Sequence, residues 1–343
     1  MKVLLISPMG FAINEKTTYA GIERLVWEYS RELIKRGHQV GVLARNDSIF
    51  PEGVELLGIE PLPDHSAAEI KAFQSYQYRL RSFDVIHDFS HLHLVARMMA
   101  NMPTLNIFWH APALAQYPKA PYNIIALSQW AAREYQRVYR QAARYQQSIA
   151  LDVDLYRPIA EPRNNRFLCV GRMGEEKGNL HSAQLCKTVG VDLDIITARG
   201  AGVEGTPYTD YEKEVIALAD GEHIRIWWEK DYTEATKIHM MQTNKALLYT
   251  TDHPEVTSHK IQECLLTNMP VIVPCLGALP EIVTQGVDGF LCSSEAEYVK
   301  AVKNVDKLDP SKTYEQTKAR FSVGNVVENY LPLYEQVGKG LRW

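Results

Sequence analysis

The sequence predicts an α/β protein made of two successive arrays of short strands and helices. Three observations lead there. Short, continuous apolar runs alternate with segments of helical periodicity, the pattern of strands buried on both faces of a parallel sheet. The alternation halts at a polar stretch with two prolines, Tyr156 to Asn165, and then starts again. The 343 residues are enough for two domains, each with its own core.

The first array opens with Lys2–Ser7, a strand rather than a leader segment, since its apolar run is short and ends at Pro8. Gly21 then starts a helix on which Ile22, Leu25, Val26, Tyr29, Leu33 and Ile34 recur at helical spacing. Gly37 stops it, and Gln39–Ala44 is the next strand, completing a strand–helix–strand unit. Gly21 is a point where a phosphate could approach the backbone; a plain tight turn explains it equally well. Asp84–His87, Thr104–His110 and Asn123–Leu127 continue the series. Ser90, His91, His93 and His110 fall near the carboxyl ends of these strands, where such sheets bind ligands. His91 and His93 flank one residue and read as loop histidines rather than metal ligands. His110, just before Ala111-Pro112, is the N-terminal candidate for touching a substrate. Ser128 reads as an N-cap, followed by a helix carrying Arg133, Arg137, Arg140 and Arg144 with tyrosines interleaved. A solvated charged face is the default for those arginines. A peripheral contact with an anionic membrane surface or acceptor is the alternative.

The second array begins with the strand Phe167–Val170, the turn GRMGEEKG at 171–178 and a helix over Asn179–Val189. Strands follow at Asp192–Thr197, Ile224–Trp228, Ala246–Thr250 and Val271–Val273. The Gly-rich turn lacks the GK[ST] ending of a nucleotide-triphosphate loop. What it offers is two cations, Arg172 and Lys177, on a turn leaving a strand. They are either anion ligands or decoration on an ordinary strand–helix turn. Glu255 and Glu263 come next, with seven residues between them and straddling the expected start of a helix, with Glu281 after the following strand. Helix starts bind anions and carboxylates accept hydrogen bonds from sugar hydroxyls, so this stretch suits a phosphorylated, polyhydroxylated ligand. Ordinary surface acids would give the same spacing.

Composition excludes several classes. The net charge is −4, which argues against a nucleic-acid partner. Residues 1–150 hold 16 Lys and Arg against 13 Asp and Glu, leaving 21 against 28 for the rest. The five cysteines form no CxxC pair and mostly lie in apolar runs, so they read as buried free thiols of a reducing, cytoplasmic compartment. No apolar stretch nears the roughly 18 residues of a membrane span.

Taken in order, several segments resemble the family-four retaining glycosyltransferases of the GT-B fold, and the resemblance runs nearly end to end. The segments are AGIERLVWEYSRELIKRGHQV at 20–40, DVIHDFSHLH at 84–93, IIALSQWAAREY at 124–135, DLYRP at 154–158 and VGRMGEEKG at 170–178. The most characteristic is the Glu255/Glu263 pair with PVIVPCLGALPEIVTQGVDGFL at 270–291. The resemblance implies two Rossmann-like domains facing each other across a cleft. Residues 1–158 would form the acceptor side, 159–325 the donor side, and 326–343 a helix crossing back to the first domain. It implies transfer of a sugar from a UDP- or GDP-sugar to a hydroxyl of a glycan, lipid or small molecule, with no metal and no cofactor beyond the donor. Arg172 and Lys177 would neutralise the diphosphate, and Gly21 would let the backbone approach it. Glu263 would accept from the ribose, while Glu255 and His110 would meet the transferred sugar.

The sequence departs from that pattern between the two glutamates. A glycine-containing run whose amides bind phosphate is usual there, and this chain has Val256-Thr257-Ser258-His259. Thr257, Ser258 and His259 are the side chains that could donate instead. Asp152-Val153-Asp154, Ala198-Arg199-Gly200 and Trp227-Trp228-Glu229 also differ. Two alternatives share the fold: a sugar-nucleotide epimerase and a binding protein without activity. A nicotinamide oxidoreductase is disfavoured by the missing GxGxxG.

Overall fold

In the computed structural model the described residues are 1–15, 21–99, 101–112, 120–199 and 207–343. They form two compact units, Met1–Asp152 with Arg320–Trp343, and Val153–Ala319.

The first unit is a seven-stranded parallel sheet. In chain order its strands are β1 (Lys2–Ile6), β2 (Gln39–Arg45), β3 (Val54–Ile59), β4 (Val85–Asp88), β5 (Thr104–Phe108), β6 (Ile124–Ala126) and β7 (Ala143–Tyr145). Their order in the sheet is β3-β2-β1-β4-β5-β6-β7. β1 pairs with both β2 and β4, so the strand order reverses at the centre, the place where such sheets bind ligands. Apolar residues of β1, β4 and β5 are almost wholly buried, as runs without alternation require. The helices are α1 (Gly21–Lys35), α2 (His65–Tyr76), α3 (Leu94–Met98) and α4 (Gln129–Tyr139). Leu25, Val26, Tyr29 and Leu33 form the buried stripe of α1. Ser128 caps α4 by accepting from the Ala131 amide at 3.1 Å. The basic helix is shorter than its sequence suggests. It ends at Tyr139, Arg140 takes a left-handed cap conformation, and Arg144 lies on β7 with its guanidinium 4.2 Å from the centre of the Trp343 ring. The four arginines therefore do not share one helix face. Arg137 is itself bound to Glu134 at 2.7 Å.

The second unit has six parallel strands in the same kind of order. They are β8 (Phe167–Val170), β9 (Leu193–Thr197), β10 (Ile224–Trp228), β11 (Ala246–Leu248), β12 (Val271–Pro274) and β13 (Gly289–Cys292), arranged β10-β9-β8-β11-β12-β13. Its helices are α5 (Asn179–Val189), α6 (Asp210–Leu218), α7 (Glu234–Thr243), α8 (His259–Leu266), α9 (Leu279–Ile282) and α10 (Glu295–Asn304), then α11 (Thr313–Phe321), which runs to the boundary with the first unit. A core of Phe167, Cys169, Leu193, Ile195, Leu248 and Ile272 packs against Ala183, Cys186 and Val302. Four of the cysteines are buried free thiols, whereas Cys275 is exposed.

The chain passes from one unit to the other at Asp152–Val153, ahead of the polar stretch expected to be a linker. That stretch is instead held on the second unit. Arg163 donates to the carbonyls of Met241, Asn244 and Thr267 at 2.9, 2.8 and 2.6 Å. The last helix, α12 (Val323–Gly338), belongs to the first unit and packs on α1. Arg36, just after α1, binds Glu328 and donates to the Gly324 carbonyl at 3.0 Å. Tyr330 and Tyr334 of α12 pack around His87, the first tilted and the second edge-on, and the Tyr334 hydroxyl lies 2.7 Å from its Nδ1. Burial pushes His87 down to about 3, so it is a neutral core histidine.

Candidate functional site

In the second unit the candidate residues lie just beyond the carboxyl ends of β8 and β11. The Gly-rich turn follows β8 directly, and Thr250-Thr251 follow β11. The two are tied by hydrogen bonds: Thr250 Oγ1 donates to the Gly178 carbonyl at 2.8 Å, and Thr251 Oγ1 to the Glu176 carbonyl at 2.7 Å. Gly178 has φ +70, and a Cβ there would lie 2.5 Å from the Thr250 carbonyl carbon. Only glycine allows that approach. This docking carries Lys177 to Glu255, where Nζ donates to Oε1 at 2.8 Å.

Glu255 is nearly enclosed. It also accepts from the Tyr249 hydroxyl. Its backbone is held from behind, because the Ala278 amide donates to its carbonyl at 2.9 Å. Burial alone would raise the Glu255 carboxyl; the ammonium groups of Lys260 and Lys177 outweigh it and hold the group below its usual range. It is a carboxylate at neutral pH. Tyr249 moves the other way, raised by its burial and by the adjacent Glu255 charge, and stays protonated. Lys260 is the residue missed in the sequence. Burial lowers its amine to about 8, with Glu255 opposing and Lys177 adding to the effect. Its position among side chains from β8, Tyr249 and Glu255 could not be read from helix periodicity, which marks it only as a first-turn residue.

The other predicted residues are distributed as follows. Arg172 is half exposed and bound to Glu176 at 2.5 Å, not to Glu255. Ser258 is the N-cap of α8 and is 2 % exposed. His259 is the first residue of α8; burial lowers its imidazole, opposed by Glu263 and Glu255. Glu263 sits one turn further along α8. It accepts from the Tyr156 hydroxyl at 2.9 Å and lies 3.7 Å from Lys237 Nζ. Lys237 bonds Glu234 at 2.8 Å in the same cluster. The two glutamates thus hold separate partner sets on either side of the helix start. Of the Ala198-Arg199-Gly200 segment, Gly200 lies outside the described residues.

In the first unit a second polar group forms where β4 and β5 end. Asp88 accepts from the Ser90 amide and hydroxyl at 2.9 and 2.6 Å. Glu69 of α2 accepts from the amides of His91 and Leu92 at 3.0 and 2.8 Å, which shapes the loop between β4 and α3. His91 stacks on His110, with ring centres 5.6 Å apart. The Tyr135 hydroxyl donates to the His110 carbonyl at 2.6 Å. Burial, with His110, His93 and His65 nearby, lowers His91 to about 4. Burial raises Glu69 to about 7 and likewise Glu23, on the first turn of α1. Gly21 is exposed at the start of α1. Glu23 and Glu69 were not singled out in the sequence, because an acid on an amphipathic helix reads as solvent-facing. Among the described residues no group of three or more His, Cys, Asp or Glu is placed to hold a metal ion, and no helix is long and apolar enough to cross a membrane.

No protein-family model matches the sequence, and no curated protein matches it. Solved structures do match over almost their whole length. A sucrose-phosphate synthase from Thermosynechococcus elongatus is 15% identical, covering 99% of this chain and 100% of that one at a TM-score of 0.76. HepE from Anabaena, in complex with UDP-glucose, is 14% identical over 98% and 100% at 0.73. A glycosyltransferase involved in avilamycin A biosynthesis is 18% identical over 100% and 99% at 0.71. At these identities the likeness is one of architecture: the chain has the GT-B fold of these glycosyltransferases, built on two parallel sheets.

Proposed function

We propose that this protein transfers a sugar from a UDP- or GDP-sugar to a hydroxyl acceptor, retaining the configuration at the anomeric carbon. The observation that carries the reading is the Lys177–Glu255–Tyr249 cluster at the carboxyl ends of β8 and β11, on a fold shared with glycosyltransferases. A half-buried ammonium beside an ionised carboxylate suits a ligand that is anionic at one end and hydroxylated at the other. HepE has been solved with UDP-glucose, and the catalytic domain of starch synthase IV from Arabidopsis thaliana with ADP and acarbose. Both are ligands of that kind.

In this reading the anomeric carbon–phosphate oxygen bond breaks while the acceptor oxygen bonds the same face of the sugar. The acceptor proton goes to the departing phosphate oxygen. Lys177 and Arg172 stabilise the charge that develops on the diphosphate, so side chains supply the positive field. Glu255 accepts from hydroxyls of the transferred sugar and fixes its orientation. Glu263 serves the ribose, accepting from its hydroxyls. In the first unit the reading assigns His110 to the sugar and Gly21 to the diphosphate. The acceptor is a glycan, a lipid or a small hydroxyl compound.

The test is incubation with a panel of UDP- and GDP-sugars, with mass analysis of both nucleotide and sugar products. Release of a nucleoside diphosphate, with the sugar on an acceptor or on water, supports transfer. Recovery of an epimerised nucleotide sugar would point to the epimerase instead. Binding of none of the panel would sink the proposal.

A further inference from the structure

We propose that Lys237 and Tyr156 are positioning residues for Glu263, fixing its carboxylate so that the protein distinguishes ribonucleotides from deoxyribonucleotides. That Glu263 meets a ribose rests on the function proposed above; the arrangement of the side chains around it does not.

Four polar side chains from three segments meet in one cluster of the second unit. Glu234 and Lys237 come from the start of α7, Glu263 from α8, and Tyr156 from the polar stretch near the beginning of the unit. Lys237 Nζ donates to Glu234 Oε1 at 2.8 Å and lies 3.7 Å from Glu263 Oε2. The Tyr156 hydroxyl stands 2.9 Å from Glu263 Oε1 and 3.3 Å from Glu234 Oε1. A tyrosine hydroxyl has one proton, and the shorter of the two contacts is the one to Glu263. Both oxygens of Glu263 are therefore addressed, Oε1 by the hydroxyl and Oε2 by the ammonium. A glutamate leaves a helix through rotatable bonds that the helix does not fix, so these two contacts decide where the carboxylate points. Each is itself anchored. Tyr156 is 4 % exposed, so its packing sets the direction of its hydroxyl, and Glu234 tethers the Lys237 ammonium one turn along α7. Burial works against the Lys237 charge, but Glu263 and then Glu234 outweigh it, and the amine is held above its usual range. With Lys237 gone, two acids would face each other with no cation between them, and one of them would be driven to take up a proton. About a seventh of the Glu263 side chain, 15%, stays exposed, which leaves it open to a ligand. A carboxylate already fixed in place accepts from a hydroxyl without a further cost in side-chain ordering. A site built that way rejects the analogue that lacks the hydroxyl.

The experiment compares wild type with Lys237→Met and Tyr156→Phe in the full chain. Calorimetry would measure binding of UDP and GDP, each beside its 2′-deoxy and 3′-deoxy forms. Wild type is expected to hold the preferred ribonucleotide at least about tenfold more tightly than one of its deoxy forms. Lys237→Met should bring that ratio to within about threefold, by weakening the ribonucleotide while the deoxy form changes little. With the matching nucleotide sugar, its KM should rise about tenfold and kcat stay within about twofold, because the ribose is remote from the bond that breaks. Tyr156→Phe removes one oxygen from a packed ring and should reduce the ratio about threefold. It provides the test should Lys237→Met not fold. A purely structural cluster would weaken ribo and deoxy forms alike and keep the ratio, and that result would overturn the proposal. So would a wild type that binds no nucleotide, or one that binds ribo and deoxy forms equally. Lys237-dependent discrimination in a protein that transfers no sugar would support the positioning role while removing the glycosyltransferase reading. Sugar transfer with an unchanged ratio in both variants would do the reverse.

Discussion

Lys177 and Glu255 are 78 residues apart in sequence and joined by a 2.8 Å hydrogen bond. The bond exists because the turn after β8 is docked on the segment after β11, and it links the chain's cationic turn to its acidic pair. Removing the charge of Glu255 tests what the link does. Glu255→Gln keeps shape and an acceptor for Tyr249 but leaves Lys177 and Lys260 without a counter-charge. Transfer is expected to fall at least 100-fold in kcat/KM, about 2.7 kcal/mol of transition-state stabilisation. Circular dichroism should report an intact fold. Turnover within a few-fold of wild type would remove Glu255 from the mechanism.

Gly277 is the support behind that carboxylate. It has φ +59, and an added Cβ would lie 2.6 Å from the Glu255 carbonyl oxygen and 2.8 Å from its nitrogen. Gly277→Ala should cost about 2 kcal/mol from left-handed backbone and steric contact, lowering Tm by about 4 to 8 °C. Activity measured well below Tm should fall as well, because relief of the clash moves Glu255. A variant with wild-type Tm and rate would show that the turn relaxes freely.

Glu69 makes the first unit sensitive to mild pH change. Burial lifts its folded pKa to about 7 from 4.5, so between those values the native state holds a proton that the unfolded chain has lost. Its contribution is therefore fully present below about 4.5 and declines as pH rises to about 7. Glu23 acts in the same direction, whereas His87 and His91, lowered by burial, act oppositely below 6.5. A single-residue comparison separates them. The stability of wild type relative to Glu69→Gln, from urea unfolding at pH 5 and pH 7, should fall with pH, at a limiting slope of about 1.4 kcal/mol per unit. A difference independent of pH would show that Glu69 is ionised throughout.

The sequence by itself determined the two parallel arrays, because strands buried on both faces must be apolar without alternation. Lys2–Ser7, Phe167–Val170 and Ile224–Trp228 could be read almost to the residue. It also determined α5 and the Ser128 cap, which depend on local spacing and one hydroxyl. Edge strands β3 and β7 escaped, since half-exposed edges carry mixed residues with no clean period. The polar Tyr156–Asn165 stretch looked like a linker because polarity cannot distinguish a solvated loop from one whose arginine is bonded to buried carbonyls. Only the tertiary structure decided which acids and cations meet. It paired Arg172 with Glu176, gave Lys177 to Glu255, placed Glu263 with Tyr156 and Lys237, and enclosed Lys260. Those partnerships rest on sheet order and on close approaches such as Gly178 against Thr250, and sequence spacing encodes neither.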